Sequence, residues 1–144
     1  MSAAQGRFAH VVECGVPREF AWAYWTNIGN WDDPPAQFRL DGPFRAGARL
    51  TTVLPGEELH WVIREVEAGF GALIEMELAG AVVGISWRFE GTSDESTRIS
   101  QAMSLSGEGA AALLGQARVF AANMPDGMRK LAQAMERSWE ARRR

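Results

Sequence analysis

Two side chains in this 144-residue chain combine polar chemistry with a place on an apolar strand face, His10 and Gln101. In the segment FAHVVEC (8–14), alternation sets Phe8, His10, Val12 and Cys14 on one face and Ala9, Val11 and Glu13 on the other. Glu13 needs water, so the histidine face points inward. An imidazole titrates near neutrality and suits acid–base work; the same position also suits a buried histidine bonded to a neighbour. In STRISQAMSLS (96–106), Ile99, Gln101, Met103 and Leu105 form the apolar set, while Arg98, Ser100 and Ser104 face out. The Gln101 amide both donates and accepts. It suits a ligand carbonyl or hydroxyl, or an internal hydrogen bond. Tyr24 and Glu65 complete the polar groups that the patterns direct inward, and Glu65 also reads as the wet end of a strand.

Other chemistries lack their residues. There is no G-x-S-x-G and no glycine-rich phosphate cradle. The single cysteine, Cys14, excludes a disulfide within the chain and lies in a strand pattern, where thiols are usually inert. His10 and His60 are too far apart in sequence to suggest a metal site, and no metal or cofactor is expected. Asp32-Asp33, ahead of Pro34-Pro35, reads as a cap or turn. A net charge of −3 argues against nucleic acid as the main partner, and the basic run Arg142-Arg143-Arg144 reads as a solvated tail. The longest apolar stretch, Leu78 to Ile85, is too short to span a bilayer, so no membrane insertion is expected. Residues 1–6 have no apolar core like that of a signal peptide, which points to a cytoplasmic location.

These groups need elements to hold them. Residues 1–6 read as a flexible tail and 7–141 as one domain. Phe8–Cys14 is the first strand. Pro17 opens a helix over 17–27, since its missing N–H costs nothing in a first turn. A second, very short helix or turn follows over 29–33. Six strands come next: Gln37–Leu40, Ala48–Leu54, Leu59–Glu67, Phe70–Leu78, Ala81–Gly91 and Ser96–Ser106. Short turns between them imply antiparallel pairing. Inward sets are Ala72, Ile74, Met76 and Leu78, then Val83, Ile85, Trp87 and Phe89, with Trp61 and Ile63 facing in on a strand whose phase is ambiguous. Leu113, Ala117, Phe120, Met124, Met128, Leu131 and Met135 hold a helical period over about six turns. Pro125 removes one backbone bond there. The helix either kinks at 124–127, as a fixed bend or a hinge, or stops and restarts.

The order is that of an α+β layer structure in which the long helix covers one face of the sheet. The text VECGVPREFAWAYWTNIGNW (12–31), GPFRAG (42–47), WVIREVEAG (61–69), ISWRFEG (85–91) with STRIS (96–100), and MPDGMRKLAQAME (124–136) resembles the START/Bet v 1-like superfamily, the polyketide cyclase and lipid transport group, over residues 7–140. The resemblance implies a helix-grip fold: a curved seven-stranded antiparallel sheet wrapped around a long C-terminal helix, with two small helices after the first strand.

Such a sheet leaves a mostly apolar pocket beside its helix. The expected lining is His10, Trp61, Trp87, Phe89, Gln101, Met103, Phe120 and Met124. Methionine suits surfaces that repack around different ligands, and four of the six methionines (103, 124, 128 and 135) fall on the last strand or the long helix. The expected partner is therefore a small hydrophobic molecule of lipid, polyketide or aromatic type, bound or carried in an internal cavity, and whether a reaction follows is left open. The alternatives are a cyclase/dehydrase-type enzyme in which His10 or Gln101 orients the substrate, and a chaperone-like module that binds a protein partner.

Overall fold

Alternation of apolar and polar residues, together with short glycine turns, builds one sheet. The structure, a computed structural model, describes residues 4–143, with side chains from 6 to 143. In chain order the elements are β1 (Ala4–Cys14), α1 (Arg18–Thr26), a 3-10 turn (Ile28–Asn30), β2 (Gln37–Leu40), β3 (Arg49–Leu54), β4 (Glu57–Glu67), β5 (Gly71–Leu78), β6 (Ala81–Ser93), β7 (Ser96–Ser106) and α2 (Ala110–Arg143). The strands stand in the order β1-β7-β6-β5-β4-β3-β2, every neighbour antiparallel. The sheet curves around α2. Among the described residues no helix is long and apolar enough to cross a membrane.

Most element bounds lie within two residues of the sequence reading, and three features bear on the site. β1 begins at Ala4, inside the expected tail, because Ala4 pairs with Ser106 and Gly6 with Leu105 across an irregular register. Pairing there uses backbone groups, which leave no apolar pattern to read. Residues 1–3 lie outside the described residues. In β4 the register shifts between Ile63 and Glu65. Arg64 and Glu65 are both exposed as a result, and Val66 returns to the inner face. Glu65 is therefore not an inward polar group. Finally, α2 runs unbroken through Pro125.

The turn at Ala79-Gly80, with both residues in the left-handed region (φ 53 and 81), closes the β5–β6 hairpin in two residues. Gly109 passes directly against this turn, and a Cβ there would collide with the Ala79 carbonyl. Only glycine lets the chain enter α2 at that height.

α2 packs on β1, β7 and α1. It runs in the same direction as β1. Leu114 lies over Gly6, and the Cys14 thiol donates to the Ala132 carbonyl at 3.5 Å and touches the Met135 sulfur at 3.9 Å. The Gly15 N–H donates to Glu136 Oε2 at 2.7 Å. Between Gly6 and Cys14 the strand rises about 27 Å, and so does the helix between Leu114 and Ala132. The midpoint falls at residue 123 opposite His10, and Pro125, close by, lines the same groove as His10.

Candidate functional site

The inner face of the sheet is a set of cross-strand rows. His10 stands opposite Gln101, Gln101 opposite Trp87, and Trp87 opposite Ala72. The neighbouring row is Phe8–Met103–Ile85–Ile74–Ile63. A period of two keeps every one of these side chains on the concave side. Five of the expected lining residues thus converge: His10, Gln101, Trp87 and Met103 on the sheet, with Met124 of α2 above them.

Charge is kept off this face. Arg98 Nε donates to Glu13 Oε1 at 2.9 Å and its Nη1 to Glu90 at 3.2 Å; Arg88 donates to Glu67 at 2.8 Å and Arg64 to Glu75 at 3.1 Å, all on the convex side. Bonding to Glu13, joined by that carboxylate's charge, raises the Arg98 guanidinium pKa further. Two polar side chains are buried inside, Thr97 and Gln101. The Thr97 hydroxyl donates to the Val16 carbonyl at 2.7 Å. The Gln101 amide has no hydrogen-bond partner among the described residues, although the residue is only 7% exposed. Among the described residues, the one fully sealed side-chain polar atom without a partner is Trp139 Nε1. The Gln101 amide therefore still reaches open space.

The other three expected residues are placed apart. Phe89 is 1% exposed and sealed in an aromatic cluster. Its ring packs on Trp22 at 5.6 Å and Trp25 at 5.4 Å; Trp25 in turn meets Trp31, Phe44 and Trp87 at 5.1–5.8 Å. Trp61, on β4, donates its indole N–H to Thr52 at 3.2 Å, in the row of Leu50 and distant from Gln101. Phe120 is 37% exposed. A step of about 100° per residue sets Phe120 and Ala121 on opposite flanks of the stripe that joins Ala117 to Met124, with Ala121 half-buried. Phe120 instead sits on the flank of α2 away from β1. On that same flank a Cβ added at Gly127 would meet nothing within 4 Å.

Among the described residues, the space beside the helix is open rather than an enclosed chamber. Two depressions flank α2, both open to solvent. One, of about 440 Å3, lies between β1 and α2 and is lined by His10, Val12, Glu13, Pro125, Arg129 and Gln133 among others. The second, of about 520 Å3, runs along the outer side of α2 by Gln133, Arg137 and Glu140. The aromatic cluster explains the difference. Trp22, Trp25, Trp31, Phe38 and Phe44 come from α1, β2 and the loops and fill one end of the grip. Sequence reading missed them as a group because they lie on different elements. The spacing of Trp22 and Trp25, one helical turn apart, was the available sign.

Burial pushes the Cys14 thiol up to about 12, helped by the nearby Glu136 charge and opposed by a backbone bond at Val16. A thiol held neutral there is packing, not a nucleophile. Asp32 and Asp33 are exposed, and the Ala36 N–H donates to the Asp33 carbonyl at 2.9 Å, closing a turn. Among the described residues no three His, Cys, Asp or Glu side chains converge on a metal-sized space.

No protein-family model and no curated protein matches the sequence. Solved structures do. Norcoclaurine synthase from Thalictrum flavum, in complex with dopamine and hydroxybenzaldehyde, superposes with a TM-score of 0.70 at 13% identity, over 93% of this chain and 87% of that one. Protein NE0264 from Nitrosomonas europaea superposes at 0.72 with 15% identity, over 94% and 96%. DynU16, described as a putative protein in the dynemicin biosynthetic locus, superposes at 0.66 with 16% identity over 90% of this chain and 47% of that one. With its strand order, its long C-terminal helix and these neighbours, the chain has the helix-grip fold of Bet v 1-like proteins.

Proposed function

We propose that this chain binds a small, largely apolar molecule on the concave face beside α2, with a polar end at Gln101. The observation that carries the reading is the Gln101 amide: buried, without a protein partner, and next to Trp87 and His10. Buried polar groups are nearly always bonded, so an unbonded one that still touches open space is best explained by a partner that comes and goes. Trp87, Met103 and Met124 supply apolar contact around it. The neighbours of this fold are in keeping with such a ligand, one of them being solved with dopamine and hydroxybenzaldehyde bound.

Naphthalene tests the reading. Added to 15N-labelled protein, it should shift the indole N–H resonance of Trp87, and Trp87→Ala should weaken its binding at least about tenfold. No shift of that resonance in folded protein at saturating naphthalene defeats the proposal. Carriage is the primary form of this function. The His10–Gln101 pairing favours one second reading, an enzyme of the cyclase/dehydrase type in which His10 moves a proton on the bound molecule. In that case His10→Ala keeps binding and loses turnover.

A further inference from the structure

We infer that the ligand of this site presents a neutral donor–acceptor edge, an N–H beside a C=O as in a lactam or cyclic imide, to the Gln101 amide. This inference rests on the reading that the concave face binds a small molecule and adds the chemical class of its polar end. A glutamine amide holds an accepting Oε1 and a donating Nε2 side by side in one plane. Both are unpartnered among the described residues. A ketone would use the donor alone and a hydroxyl would leave one side idle; a cis-amide edge answers both at once, with two parallel hydrogen bonds. The surroundings argue against a charged end. Gln101 and Thr97 are the buried polar side chains, Thr97 is already bonded, and the Arg and Glu pairs described above lie on the convex side. A buried carboxylate would find no cation facing it there. His10, the one titratable side chain in the row, also lines the open groove with Glu13, Arg129 and Glu136. Trp87, one strand over, gives a flat surface on which a fused ring bearing such an edge would lie.

Three probes of nearly equal size separate the possibilities: naphthalene, with no polar edge; 1H-quinolin-2-one, with the lactam edge; and 2-naphthoate, with an anion. Their affinities are read from the Trp87 indole resonance of the full chain. The lactam should bind at least about tenfold tighter than either of the others. Gln101→Met, apolar and of similar length, should bring the ratio of lactam to naphthalene affinity to about one. Naphthalene bound with no lactam preference overturns this inference and leaves the apolar site standing. Tightest binding by 2-naphthoate also overturns it and assigns the polar end to His10. Failure of all three to bind takes down the site reading and the inference together.

Discussion

Gln101 was legible as an inward polar residue because strand alternation is rigid: with Ile99 and Met103 on one face, the residue between them in phase has nowhere else to go. What alternation does not carry is whether the amide finds a partner, since that depends on residues 91 and 14 positions away in sequence, His10 and Trp87. An unpaired amide in an apolar row has an energetic signature. Gln101→Met should stabilise the free protein by about 1 kcal/mol, raising Tm by a few degrees in calorimetry. A drop in Tm would mean that the amide is bonded internally after all. Cys14 provides a second residue-scale test. With the folded thiol at about 12 against 9.0 when unfolded, the unfolded chain loses its proton first as pH rises. Stability is therefore full below pH 9 and should fall by about 1.4 kcal/mol per pH unit between 9 and 12. Urea titrations at stepped pH read the slope, and Cys14→Ala should remove it.

At the level of elements, β5, β6 and β7 matched their expected inner and outer sets residue by residue, because both faces of those strands contrast in polarity. β4 did not read cleanly past Ile63. One extra residue at Arg64–Glu65 resets the phase, and a bulge has no signal in an otherwise alternating text. α2 shows the opposite case. Its period was plain, yet Phe120 lies at the edge of the stripe and is 37% exposed, because the sheet covers the flank that carries Ala121 and not the other. Pro125 neither ends nor divides the helix. It is exposed and lacks only its backbone donor, so Pro125→Ala should raise stability by about 1–3 kcal/mol in denaturant titration. Loss of stability instead would show that the proline holds the groove beside β1 in shape. The two halves of α2 should also differ in hydrogen exchange. The second half is fastened by Cys14 to Ala132, Gly15 to Glu136, and Phe20 against Trp139 at 5.0 Å. The first half has Val119 and Phe120 in solvent. Amides at 115–122 should exchange well ahead of those at 128–138.

For the molecule as a whole, element order gave a sheet covered by one long helix and the family resemblance gave the helix-grip fold, whereas the interior could not be read. The aromatic residues that occupy one end of the grip are contributed by α1, β2 and two loops, and no local pattern announces that they will meet. Their joint effect is to close that end of the grip, and the open depressions lie along α2. A bound molecule should then stabilise the whole chain by mass action. A probe at a hundred times its Kd adds about 2.7 kcal/mol, visible as a rise in Tm that Trp87→Ala, with about tenfold weaker binding, cuts to about half at the same concentration.

The sheet order has a consequence for how the chain comes together. β1 is made early and lies beside β7, with Phe8 against Met103 and Cys14 against Thr97. During synthesis the opening strand has no neighbour to pair with until nearly the last strand has left the ribosome. The hairpins from β2 to β7 can zip locally in sequence, and the amino-terminal segment docks at the end as a closing seam, sealed by α2. Closure over so long a loop is the slow kind of folding step. A nascent chain stalled before residue 96 would hold an unpaired, apolar strand in reach of chaperones or of another unfinished copy.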